Sequence, residues 1–201
     1  MLDRFADALR RAAPPVAAAM GPGLSEDEIR SACAEASLVP SHDAVTWFTY
    51  WDAVAEPAIR LVTILPGIQT ASLHACLRNT VTMRQVFRDV LGQPLPRFGF
   101  EDAWSSAWLA LFGDGGGTHF VLDCRDPVRP SLLRDCFREN FSGEDWGKPI
   151  APLATWLTGG AEWMATQSCR FDPAAGTWLP LHAAHAYWPH FDLAKPPNPP
   201  I

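Results

Sequence analysis

The cluster Gly113-Asp114-Gly115-Gly116-Gly117 stands between two apolar, partly alternating runs, Ala107 to Phe112 and Thr118 to Asp123, and it restricts the chain's options more than any other segment. Its glycines supply the positive-φ positions that a reversal needs, and the flanking alternation supplies the faces of two strands, so the segment predicts a β-hairpin. A glycine cluster can also cradle phosphate, but only where a strand leads through the glycines into a helix whose amide groups face the anion. Here a second strand follows, and Lys and Ser/Thr do not take the P-loop order. A nucleotide site is therefore not expected.

The chain has 201 residues, of which 48% are apolar and 19% charged, enough for one globular domain with a real core. Nine tryptophans are present. Large aromatics are mostly buried, so most of these belong in the core, with one or two at the rim of an interface. Sixteen basic and twenty-two acidic residues give a net charge of −6, and no Lys/Arg run interleaves with aromatics to follow a phosphate backbone. Direct nucleic-acid binding is not expected. An acidic surface suits a basic protein partner, although it also simply maintains solubility.

Cys33, Cys76, Cys124, Cys136 and Cys169 are odd in number and widely spaced, without a Cys-x-x-Cys pair. They signal neither a disulfide framework nor structural zinc and read as small buried hydrophobes. Asp3 and Asp7 interrupt any apolar leader, and no stretch is long enough to span a membrane. A cytoplasmic protein is the expectation.

Along the chain, Leu2, Phe5, Ala6, Leu9 and Ala13 recur at helical spacing, and Pro14-Pro15 disfavours continuation. Gly21-Pro22-Gly23 reads as a loop. Ser25 and Glu28 form a capping box for the next helix, with Leu24 and Ile29 placed as a hydrophobic staple. After Pro40, Ala44, Trp47, Phe48 and Trp51 share one helical face, capped by either Ser41 or Asp43. Ile59 to Leu65 reads as a strand stopping at Pro66-Gly67. A longer helix follows Ser72 and ends before Gly92, carrying Leu73, Cys76, Leu77, Thr80 and Phe87 inward. Beyond the hairpin, Val128 to Phe137 fits either a helix or a third strand. Leu153, Trp156, Leu157, Ala161 and Met164 predict a short helix, and Gln167 to Phe171 and Thr177 to Leu181 a terminal hairpin.

These elements predict an α+β fold, helices packed on a mainly antiparallel sheet. The boundaries are 1–22 for an N-terminal helix and loop, 23–190 for the α+β domain and 191–201 for a proline-rich tail.

Leu24-Ser25-Glu26-Asp27-Glu28-Ile29 opening a helix, Leu38-Val39-Pro40 opening a second, and then Trp104, Trp108, the Gly-rich turn and Leu122-Asp123 together resemble the SUKH superfamily. That superfamily comprises the Smi/Knr-type proteins and many bacterial immunity proteins. The resemblance covers roughly 23–178, and Trp108, Gly115 to Gly117 and Asp123 match the family's hairpin pattern. One departure is Trp108-Leu109-Ala110, where the family usually has Trp-Leu-Pro. The resemblance implies a single SUKH-like α+β domain. It also implies a bacterial role in neutralising a toxin by binding it, or else a regulatory or scaffold role without a toxin.

Chemistry-bearing residues are few. His182, His185 and His190, with Asp192 nearby, have ligand-like types, but Pro189 interrupts them and no Glu stands as a base in a His-Glu-x-x-His frame. A metal-dependent hydrolase built on them is the remote alternative, and no cofactor or metal is expected. Asp114, Asp123 and Asp126 resemble paired carboxylates, yet turn chemistry accounts for Asp114 and Asp126 more simply. No Gly-x-Ser-x-Gly elbow is present. The expectation is a non-enzymatic protein-binding domain with a basic toxin as partner. Glu101, Asp102, Trp104, Asp114 and Asp126 are its candidate partner-binding residues, chosen because they flank the hairpin at positions expected to be exposed.

Overall fold

A computed structural model describes residues 1–53, 62–91, 104–115, 117–136, 147–166 and 169–180. It has helices and a mainly antiparallel sheet, the α+β architecture the sequence predicts. Helix α1 spans Leu2–Ala12 and buries Leu2, Phe5, Ala6 and Leu9. Pro14-Pro15 ends that helix as expected, but it also begins another, α2 at Pro14–Ala19. A proline in the first turn lacks an amide that would have no helical partner anyway, and its fixed φ already suits a helix. Met20–Pro22 is a short strand, β1, which corrects the expected loop. It pairs antiparallel with β2, Trp51–Ala53, with Met20 opposite Ala53.

Helix α3, Glu26–Glu35, carries the predicted capping box, with Ser25 Oγ accepting from Glu28 N and Glu28 Oε2 from Ser25 N at 2.8 Å. Of the two possible caps for α4, His42–Tyr50, the cap is Ser41, whose hydroxyl accepts from Ala44 N. Asp43 instead accepts from the distant Ser131 N at 2.6 Å.

The main sheet is a six-stranded antiparallel meander in the order β3-β4-β5-β6-β7-β8. Strands β3, Val62–Leu65, and β4, Ile68–Thr70, join through Gly67 at φ +69°. Helix α5, Leu73–Leu91, follows. Ser72 Oγ accepts from Ala75 N, and the Asp52 carboxylate accepts from Leu73 N at 2.7 Å, filling the first turn from across the molecule. The predicted hairpin is β5, Trp108–Gly113, with β6, His119–Asp123. The ambiguous segment is a strand, β7, Leu132–Cys136, followed by β8, Lys148–Pro152. Helix α6 spans Leu153–Ala165, and β9, Cys169–Asp172, and β10, Thr177–Pro180, form the terminal hairpin. Trp178 Nε1 donates to Thr63 O at 2.9 Å and ties that hairpin to β3.

The pleat divides the sheet into two buried faces. Leu109, Leu111, Phe120, Leu122 and Leu133 join α1, α4 and α6 in the larger core, where Phe112 meets Trp47 edge-on at 5.2 Å and stacks on Trp156 at 5.0 Å. Phe5 belongs to the same core, so α1 is an integral layer across the boundary placed at residue 22. The second face holds Trp104, Trp108, Ala110, Val121 and Cys136 against Met83 and Phe87 of α5.

Strand β4 reaches only to Thr70, so it leaves the outer edge of β5 unpaired beyond Phe112. Helix α5 covers that edge. Ala110 N donates to Thr80 Oγ1 at 2.9 Å, and the same hydroxyl donates to Cys76 O. An exposed strand edge is thereby closed by a helix rather than by another strand.

Candidate functional site

The β5–β6 turn, β4 and the first turns of α5 enclose a cleft of about 230 Å³. Its floor is apolar, from Ala71, Ala110, Leu111 and Phe112, and its rim carries Gln69, Asn79, Thr118 and His119. Local geometry explains why these meet. Gln69 pairs across the ladder with Gly113, which in turn opposes His119, so the three occupy one sheet line. Gly115 at φ +75° turns the chain over Gln69, and a Cβ there would lie 2.9 Å from Gln69 Oε1. The backbone conformation is what calls for glycine here, since the Gln69 side-chain end could move aside for a Cβ.

Burial pushes the His119 imidazole below its ordinary value, against a smaller opposing pull from Asp114. The ring is therefore neutral near pH 7, one nitrogen a donor and the other an acceptor. It meets Trp104 edge-on at 5.7 Å. Cys76 also lines the cleft, but burial raises its thiol to about 12, which suppresses the thiolate. Cys33 is raised to about 11 by the same cause.

Of the five candidate residues from the sequence, Trp104, Asp114 and Asp126 fall among the described residues. Trp104, expected to be exposed, is 2% exposed; it stacks on Phe87 and packs edge-on against Trp108. The correction has a simple cause: Trp104 precedes a strand whose second face is itself buried, and its ring completes that smaller core. Asp114 is half-buried and accepts from Thr118 N at 3.0 Å, inside the turn. Asp126 is exposed; it accepts from Val128 N and Arg129 N, and Arg129 lies 3.3 Å from its carboxylate. Both aspartates therefore build their turns, as turn chemistry implies. Glu101 and Asp102 lie outside the described residues, as do His182, His185, His190 and Asp192. Among the described residues no group of three His, Cys, Asp or Glu could hold a metal ion, and no helix is long and apolar enough to cross a membrane.

Asp123 is the centre of a charge cluster. It accepts from Arg134 Nε at 2.6 Å and from Arg125 Nη2 at 2.5 Å, and Arg134 also donates to Gly147 O at 2.8 Å. Burial alone would raise the Asp123 carboxyl, but the hydrogen bonds from the two arginines outweigh it and hold it below the ordinary carboxylate value. The cluster locks β6 to β7 and to Gly147 before β8.

A second surface feature was invisible in the sequence. The β6–β7 loop is tied to the first turn of α4, and through it to the α3–α4 loop just before, by His42 N donating to Pro127 O at 3.1 Å and Ser131 N to Asp43 Oδ2. Val128 is 85% exposed on the first loop and Val39 67% on the second. Only the Asp126-Pro127 dipeptide hinted at the first, as a turn.

The chain matches no protein-family model, and no curated protein matches it.

Proposed function

We propose that this chain is a non-catalytic protein-binding domain, with the role of an immunity protein that neutralises a basic toxin by occupying it. The observation that carries the reading is the pair of cross-linked loops bearing Val39 and Val128. Exposed single valines are ordinary on a protein surface, and what distinguishes these two is the preformed support beneath them, which suits a partner that covers them. Pro127 and Pro130, the Asp126 turn and the two hydrogen bonds to the first turn of α4 hold the Val128 loop in place before any encounter. Ordering that is already complete need not be paid for on binding.

Exposed acidic residues of the α3 first turn, Glu26, Asp27 and Glu28, together with the net charge of −6, would steer a basic partner. Neutral, buried thiols and the uncharged cleft also suit binding better than nucleophilic or acid–base chemistry. The SUKH resemblance supplies the toxin context.

The test is co-expression with the toxin domain encoded in the adjacent reading frame, followed by calorimetry of the purified pair. Val128→Asp with Val39→Asp should weaken binding at least tenfold and abolish rescue while leaving thermal stability unchanged, because both side chains are exposed. Unaltered affinity in that variant refutes the loop surface. Growth unaffected by the protein refutes the immunity role.

A further inference from the structure

We propose that the cleft at the hairpin tip is a binding site for an uncharged carboxamide group, a function separate from the loop surface. Among the described residues, the side chains of Asn79, Thr118 and His119 make no hydrogen bond, and Gln69 Oε1 is buried without a donor. Leaving the buried Gln69 oxygen unmet costs free energy, and it stands with three further donor–acceptor side chains around one largely apolar cavity, the pattern of a binding site.

Charge selects the ligand first. Among the described residues no Asp, Glu, Lys or Arg lines the cleft, and its imidazole is neutral, so an anion entering would lose hydration and gain no counter-charge. Hydrogen-bonding capacity selects next. Each carboxamide, the hydroxyl and the neutral imidazole offers both a donor and an acceptor. A ligand with acceptors alone, such as a carboxylate, leaves the buried Gln69 Oε1 unmet. A carboxamide presents two N–H donors and a carbonyl and can pair with an amide side chain in either orientation. Gln69 can offer either end by turning about its broad terminal torsion under Gly115.

Size selects last. The cavity's roughly 230 Å³ is below the about 300–1,000 Å³ of sites for drug-sized ligands, and equals about eight water volumes at about 30 Å³ each. It fits an amide on a short alkyl stem, with the stem on Leu111 and Phe112. The amide could be a free small molecule or a Gln or Asn side chain presented by a protein; the recognition chemistry is the same.

Two isosteric pairs test this by ¹H–¹⁵N NMR titration of the full chain: propanamide against propanoate, and N-acetyl-glutamine methylamide against N-acetyl-glutamate methylamide. The expected result is saturable shifts of the Gln69, Gly113, Gly115, Thr118 and His119 amides with an amide probe, at least tenfold tighter than with its carboxylate twin. Asn79→Ala, at an exposed helix position that folding tolerates, should weaken binding about fivefold, as should the isosteric Thr118→Val. Tighter binding of propanamide assigns the site to a free amide, and tighter binding of the capped glutamine to a protein side chain. Equal affinity for amide and carboxylate overturns the proposal. So does binding insensitive to both variants, or an absence of cleft shifts with either amide.

Discussion

Replacing Asp123 by Asn is the sharpest probe of what holds the hairpin to the rest of the sheet. The substitution preserves shape and removes one charge. Arg134, whose side chain is 11% exposed, then keeps its positive charge in a buried place without the carboxylate opposite it, while Gly147 O still accepts from it. Stripping one member from a buried pair costs about 3–5 kcal/mol, chiefly because the survivor is left uncompensated. The remaining bond to Gly147 O argues for the lower end, about 3 kcal/mol. Arg125 is different: its side chain is 48% exposed, and its pairing with Asp123 adds at most about 1 kcal/mol. Urea unfolding reads the difference directly. With a slope of about 2 kcal/mol per molar, Asp123→Asn should lower the midpoint by about 1.5 M at unchanged slope, and Arg125→Ala by about 0.5 M or less. The pH dependence supplies a second check. The folded-state pKa of Asp123 is depressed, so its stabilisation is complete above the unfolded value of about 3.9 and is lost as pH falls through the lower folded value. The gap between wild type and variant should therefore be constant near neutrality and close below about pH 4. A midpoint loss in Asp123→Asn no larger than in Arg125→Ala, or a gap that persists in acid, refutes the reasoning.

Thr80→Val removes the hydroxyl that accepts from Ala110 N and leaves a buried strand amide unmatched, at a cost of about 1–3 kcal/mol; thermal unfolding and faster amide exchange at Ala110 check this. At Gly23→Ala the new Cβ would stand 1.8 Å from Thr49 O, which is backbone and cannot rotate away. A loss at or beyond the about 3 kcal/mol upper end of ordinary overpacking is expected in chemical denaturation. The thiols of Cys33, Cys76, Cys124 and Cys136 are buried and their pKa values raised, so Ellman's reagent at pH 8 should react with them only on unfolding; rapid modification of Cys76 in the native protein would contradict the description of the cleft.

Features decided by neighbours in sequence were legible in advance. The Ser25–Glu28 capping box, the glycine hairpin and the face carrying Trp47 and Phe48 all express local backbone chemistry, and each stands where the sequence indicates. Features decided by distant partners were not. Lys148-Pro149-Ile150-Ala151-Pro152 is an unpromising strand because each proline removes a ladder donor, yet the edge position of β8 tolerates it. Leu132 to Cys136 carries spacing compatible with two conformations, and pairing with β6 selects one. The cleft is the extreme case. Gln69, Asn79 and His119 come from a strand, a helix and a hairpin, and no motif links them. Trp104 misled because a position beside a turn resembles a rim, whereas the second face of this sheet is itself a core.

The packing of α1 against α6 also sets an order of events during synthesis. Arg4 of the first helix lies 3.1 Å from Glu162 of the last, 158 residues away, and Phe5 abuts Gly160 so closely that a Cβ there would stand 3.1 Å from its ring. At about 5–20 residues per second, roughly 8 to 30 seconds separate the emergence of the two helices from the ribosome. Throughout that interval the part of α1 that packs on α6 has no docking surface, whereas Phe5 can already meet Trp51. The nascent chain thus carries a sticky amphipathic segment until nearly the whole fold has been made, and its yield in the cell will depend on how well chaperones shield that one helix.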